Sequence, residues 1–124
     1  MIARLSGTLA AKAPTEILID VHGVGYSVSV SLATFEVLGD VDAPVTLFTF
    51  LHVREDAQQL FGFASEAERN LFRMLISVNG IGPKIAQGIL SGIQVDALKN
   101  YIAVGDLRAL TAIPGIGRKI AERL

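Results

Sequence analysis

One segment of this 124-residue chain is written twice. Residues 75–89 read LISVNGIGPKIAQGI and residues 110–124 read LTAIPGIGRKIAERL, thirty-five positions apart, with seven of fifteen positions identical. A repeat at this period marks a duplicated supersecondary unit. In each copy a Gly-Ile-Gly turn opens a helical pattern, and a Lys follows two residues after the second glycine. The first glycine permits a positive φ, and the second lets a ligand approach the backbone with no Cβ in the way. The helix start behind it offers unpaired N–H groups and the positive end of the helix dipole, which suit an anion. Each copy therefore reads as a phosphate-holding turn. The candidate residues are Asn79, Gly80, Gly82 and Lys84 in the first copy, with Gly115, Gly117, Arg118, Lys119 and Arg123 in the second. Pro83 stands where a first-turn proline is tolerated, because its missing N–H would be unpaired there anyway.

A single Gly-x-Gly can be no more than a tight turn between helices. Two copies with a Lys at the same offset argue for a shared task. A mononucleotide P-loop is a poor fit, since there is neither GxxxxGK[ST] nor a preceding strand. A dinucleotide-binding turn fails for want of GxGxxG after a strand. Backbone N–H groups and lysines see phosphates and not bases, so such turns bind without reading sequence. Two of them can hold both strands of one duplex across its minor groove. The pattern resembles the helix-hairpin-helix motif, a sequence-independent DNA-binding element.

Charge supports that division of labour. Residues 1–63 carry Arg4, Lys12 and Arg54 against seven acids, a net of −4, and residues 64–124 carry eight basic side chains against five acids, a net of +3. The chain's overall −1 hides the contrast. With 51% hydrophobic and 19% charged residues, the chain has the composition of a folded protein. There is no cysteine, which excludes disulfides, thiolate metal sites and Cys nucleophiles. No apolar run approaches the ~20 residues of a membrane span, and the start, MIARLSG, lacks a signal-peptide pattern. The expectation is a soluble, cytoplasmic protein with no membrane partner.

The period of the hydrophobic pattern divides the chain at the same place as its charge. Up to residue 63 it reads as five strands, at 2–12, 17–21, 26–30, 45–53 and 58–63, with a turn at Gly23-Val24-Gly25. Five short strands with no room for crossover helices favour a small antiparallel barrel of the OB type. From residue 64 the period becomes helical. Ser65-Glu66-Ala67-Glu68 fits a capping box, and further short helices follow at 85–90, 95–104, 107–112 and from Arg118. Asp96 and Asp106 are plausible starts, and Gly92 and Gly105 plausible stops. The fold class is α+β in the segregated sense: an all-β barrel over residues 1–63, then an all-α tandem hairpin domain over residues 64–124. The last helix makes only about two turns before residue 124, and a helix so short is marginal alone. The natural protein is therefore expected to continue past it.

The barrel offers little chemistry. OB barrels often stack bases on aromatic side chains in a basic groove, but the second and third strands here carry no basic residue. Phe48, Phe50, Phe61 and Phe63 read as core or subunit interface, and His22 and His52 as structural residues on strands. The turn Arg54-Glu55-Asp56-Ala57 taken alone reads as a solvated hairpin tip, and a Mg²⁺ site there is under-supplied, with two adjacent carboxylates and no third partner in view. No nucleophile, acid–base pair or metal constellation is visible, and no cofactor is called for.

Together these residues resemble a known family. MIARLSG at the start, GVGYSV at 23–28, REDAQQLFGF at 54–63, NGIGPKIAQGILSG at 79–92 and PGIGRKIAERL at 114–124 closely resemble the RuvA family of Holliday-junction-binding proteins. The resemblance covers the whole chain in order and omits only the family's linker and small third helical domain. It implies a non-catalytic subunit that binds four-way junction DNA in recombination, DNA repair and the SOS response. It implies a homotetramer, or an octamer of two tetramers sandwiching the junction. The implied partners are the hexameric RuvB motor, which hydrolyses ATP, and the RuvC resolvase. It also recasts Glu55 and Asp56 as an acidic pin at the crossover, with Arg54 beside it as a weaker DNA contact. Two rivals remain at this point. One is a general duplex clamp without junction preference, and the other an accessory domain of a nuclease, ligase or glycosylase.

Overall fold

The computed structural model describes residues Met1–Leu124 as two compact units, Met1–Arg69 and Asn70–Leu124. In the first, β1 (Arg4–Ala13), β2 (Glu16–Val21), β3 (Val24–Val30), β4 (Pro44–Val53) and β5 (Gln58–Phe63) form a closed barrel in the order β1-β2-β3-β5-β4. Period-two alternation sends Leu9, Ile19, Val28, Val30 and Leu47 into its core, each at most 1% exposed. A bulge between Leu9 and Ala11 shifts the β1–β2 register, a common device where a barrel strand must bend.

The barrel departs from the sequence reading in three places. It is not wholly antiparallel: β3 and β5 run parallel, with Val28 opposite Leu60 and Val30 opposite Gly62. Parallel neighbours cannot be joined by a tight turn, and the connection here runs through β4 and a helix that the sequence pattern does not announce, α1 (Leu32–Val37). That helix was hidden because six residues are too few to show a period. Its available signal was the cap, where Ser31 accepts a hydrogen bond from the Thr34 backbone N–H. The second departure is the β2–β3 turn, which falls at His22–Gly23 and leaves Val24 and Gly25 in the strand. Both turn residues have positive φ, 51° and 89°, as a two-residue hairpin of matching twist requires. The third follows from it, for His22 stands in this turn and not on a strand.

The helix α2 (Glu66–Ile76) begins in the first unit and ends in the second. Only half of its expected capping box exists. Ser65 Oγ accepts from the Glu68 backbone N–H at 3.2 Å, but the Glu68 carboxylate does not turn back. It accepts instead from Ser31 Oγ at 2.9 Å and Thr34 Oγ1 at 3.1 Å, buried against α1. Arg69 donates to the Ala3 carbonyl at 2.9 Å and lies over the Phe48 ring. These bonds put the first turn of α2 with the barrel and account for the division falling after Arg69.

The second unit holds the rest of α2 with α3 (Pro83–Gly92), α4 (Val95–Val104), α5 (Leu107–Thr111) and α6 (Arg118–Arg123). Gly105 ends α4 in the left-handed conformation, φ 67°. Asp106 caps α5 by accepting from the Ala109 N–H at 3.0 Å. Asp96 lies within the first turn of α4, whose cap is Gln94. No helix is long and apolar enough to cross a membrane.

Candidate nucleic-acid interface

The two copies of the repeat share their hydrogen bonds as well as their letters. Ile81 N donates to Val78 O at 3.0 Å, and thirty-five residues on Ile116 N donates to Ile113 O at 3.1 Å. Ala86 N donates to Gly82 O at 3.0 Å, and Ala121 N to Gly117 O at 2.9 Å. The first glycines have φ of 101° at Gly80 and 92° at Gly115, a region that costs other residues roughly 1–2 kcal/mol. The isoleucine between the glycines is buried in both copies, Ile81 and Ile116 each 4% exposed, and such burial stabilises by about 1.5–3 kcal/mol. Each turn is thus pinned from below by its own apolar residue.

The copies also pack on each other reciprocally. A Cβ built on Gly80 would lie 3.4 Å from Ile120 Cγ1, and one on Gly115 would lie 3.4 Å from Ile85 Cγ2. A shift of thirty-five turns 80 into 115 and 85 into 120, so each contact is the image of the other. Self-complementary contacts of this kind define an isologous, two-fold arrangement. The structure brings Gly80, Gly82 and Lys84 together with Gly115, Gly117 and Lys119 as two equivalent halves of one unit.

The second glycines differ from the first. Gly82 and Gly117 are the N-caps of α3 and α6, with extended backbones (φ −90° and −84°) that any residue adopts. A Cβ at either position meets nothing within 4 Å. Neither packing nor conformation inside the chain asks for glycine there, and Ser or Asp would cap the helix better. An oxygen-bearing cap, however, would occupy the same N–H groups that an anion needs. Open glycine caps keep both the space and the donors free.

The cations sort into three kinds. Lys84 and Lys119 are exposed and make no hydrogen bond or ion pair. Arg118 faces Glu122 at 3.4 Å with both side chains exposed, 84% and 53%, an arrangement worth little. Arg123 has a partner inside the unit: its Nη1 donates to the Asn79 carbonyl at 2.9 Å. It therefore fastens the first turn to the last helix, and Asn79 takes part through its backbone. The equivalent position in the first copy is Gly88, so this bond has no mirror image.

In the barrel unit, residues 54–57 connect Val53 to its partner Gln58, and the loop is closed by Arg54 N donating to Ala57 O at 2.8 Å. The side chains of Arg54, Glu55 and Asp56 are exposed at this tip without partners. Phe61 and Phe63 are 1% exposed, and Phe50 stacks on His52 with centroids 6.4 Å apart. No three His, Asp or Glu side chains gather into a metal-holding group.

Comparison with known proteins agrees with both halves. Residues 1–62 match the family model described as the RuvA N-terminal domain, and residues 72–124 match the SAM-like helix-hairpin-helix tandem. Over all 124 residues the chain is 55% identical to the Holliday junction branch migration complex subunit RuvA of Chromobacterium violaceum. It is 54% identical to the protein of that name from Geobacter metallireducens and 52% to that from Pseudomonas fluorescens. The chain is covered completely in each case and spans 63%, 62% and 61% of the respective relative.

Proposed function

The chain belongs to the RuvA family, and on that premise we propose that it binds four-way DNA junctions by shape and holds them open for branch migration. The observation that carries the reading is the pair of open glycine caps, Gly82 and Gly117, in two reciprocally packed copies with Lys84 and Lys119 unpaired beside them. A B-DNA minor groove has a phosphate strand on each side, related by a local two-fold axis. Two equivalent anion sites related by a two-fold match that ligand. Backbone N–H groups at Gly80, Gly82, Gly115 and Gly117 take the phosphates, and Lys84, Arg118, Lys119 and Arg123 add charge.

Junction preference has to come from elsewhere, because the hairpins grip any duplex. In a four-fold homotetramer the Glu55–Asp56 tips supply eight carboxylates around one axis, where the strands exchange. Like charge repels continuous backbone there and tolerates strands that separate, so specificity arises by penalising the wrong ligand. Arg54 touches the DNA beside the crossover. The chain catalyses no reaction and carries no cofactor in this role. It is a DNA-binding subunit that presents the junction to an ATP-driven RuvB motor and a RuvC resolvase in the cytoplasm.

Competition binding tests the reading. A four-way junction is expected to displace linear duplex of equal arm length, and equal affinity for the two removes the junction preference. Glu55→Gln with Asp56→Asn is expected to tighten linear-duplex binding while junction binding changes little. An unchanged junction-to-duplex ratio in that variant refutes the acidic tip as its source.

A further inference from the structure

The repeat extends further upstream than its most similar core. Two residues ahead of Leu75 stands Arg73, and two ahead of Leu110 stands Arg108, an identity at the same spacing of thirty-five. Each lies in the last turn of the helix that leads into a hairpin, α2 and α5. Both are exposed, and neither guanidinium has a hydrogen bond or ion pair. Arg108 lines an open concavity of about 540 Å³ with Thr111, Ile116, Gly117 and Arg118. Its side chain therefore shares one hollow with the glycine cap of α6. Arg73 lines a concavity of about 400 Å³ with Asn70, Met74 and Ser77.

An ordinary reason for a cation in a last turn is the helix dipole, worth about 0.3–1 kcal/mol. That reason is weak for α5, which has only five residues. It also does not select a position, since any last-turn residue serves. Here the two arginines keep one register against Leu75 and Leu110, which are both buried and anchor the two copies equivalently. Equivalent anchoring gives the two arginines equivalent positions on the helices that lead into their hairpins.

We propose that Arg73 and Arg108 are a second matched pair of DNA-phosphate contacts, one flanking each hairpin. Each copy then offers a planar guanidinium as well as a lysine, so its grip reaches beyond the phosphate held at the glycine cap. Guanidinium suits this task because its fork bonds two phosphate oxygens at once. The inference rests on the reading of the hairpins as duplex-gripping elements, and its test separates the two.

The experiment measures the salt dependence of linear-duplex binding, a readout independent of junction preference. Arg73→Gln with Arg108→Gln is expected to lower the slope of log K against log salt by about 1.8 per chain, from about 0.9 for each lost contact. The melting temperature should hold, since both side chains are exposed and unpaired. Lys99→Gln removes a charge from the exposed surface of α4, outside both hairpins, and is expected to leave the slope unchanged. Lys84→Gln with Lys119→Gln, measured alongside, reports on the hairpins themselves. If that lysine pair flattens the slope and the arginine pair does not, the inference fails and the hairpin reading stands. If neither pair flattens it, the hairpin reading fails and takes the inference with it. An effect per charge equal to that of Lys99→Gln reduces the arginines to general field and also overturns the inference.

Discussion

Glycine means one thing in the barrel and another at the hairpins. At two barrel positions it is demanded by neighbours: a Cβ on Gly62 would meet Val28 Cγ1 at 2.7 Å and Leu47 Cδ1 at 3.0 Å, and one on Gly7 would run into the backbone oxygen of Asp20. At the caps of α3 and α6 nothing in the chain comes near. Gly7 and Gly62 are there for the fold, and no neighbour asks for the cap glycines.

That contrast can be broken most directly by stability. Gly7→Ala is expected to cost about 3 kcal/mol, because the obstructing atom is backbone in β2 and cannot rotate away. Calorimetry should show a fall in melting temperature of about 10 °C. Gly82→Ala with Gly117→Ala should move stability by less than about 1 kcal/mol per site, a lost cap preference set against a less flexible unfolded chain. DNA affinity should nevertheless fall about tenfold, a loss of about 1.4 kcal/mol. A melting loss at the caps as large as that of Gly7→Ala would erase the distinction. The smallest expected effect concerns Arg123. With its bond to the Asn79 carbonyl, Arg123→Gln should loosen the first turn by about 0.5–1 kcal/mol. Faster hydrogen exchange at the Ile81 amide in the free protein would register it. Unchanged exchange would leave Arg123 as a plain cation, equivalent in kind to Lys119.

Much of this architecture was legible because it is local. Period-two alternation in β2 and β3, the Asp106 cap, the Gly105 stop and the Gly-Ile-Gly turns each depend on residues within a few positions of one another. The elements that escaped depend on distant partners or on too few residues. α1 is six residues long, below what periodicity can register. The parallel β3–β5 pairing depends on residues about thirty apart in sequence, Val28 with Leu60. Glu68 had the right spacing for a local capping box, yet its carboxylate went to Ser31 and Thr34, which offer two hydroxyl donors in a buried setting. The arginines at 73 and 108 share the spacing of thirty-five, so their pairing is legible in the sequence, whereas their exposure is decided by the fold.

The sequence by itself determined that there are two Gly-Ile-Gly turns with a lysine at the same offset, that they are copies, and that an acidic segment stands apart from them. Those properties reside in residue type and spacing. Only the tertiary structure decided that the copies pack reciprocally, that the cap glycines face open space, and that Arg123 is tied to Asn79 while Lys84 and Lys119 are not. Such distinctions turn on which atoms lie within 4 Å of which others. Spacing along a chain does not carry that information until the chain has folded.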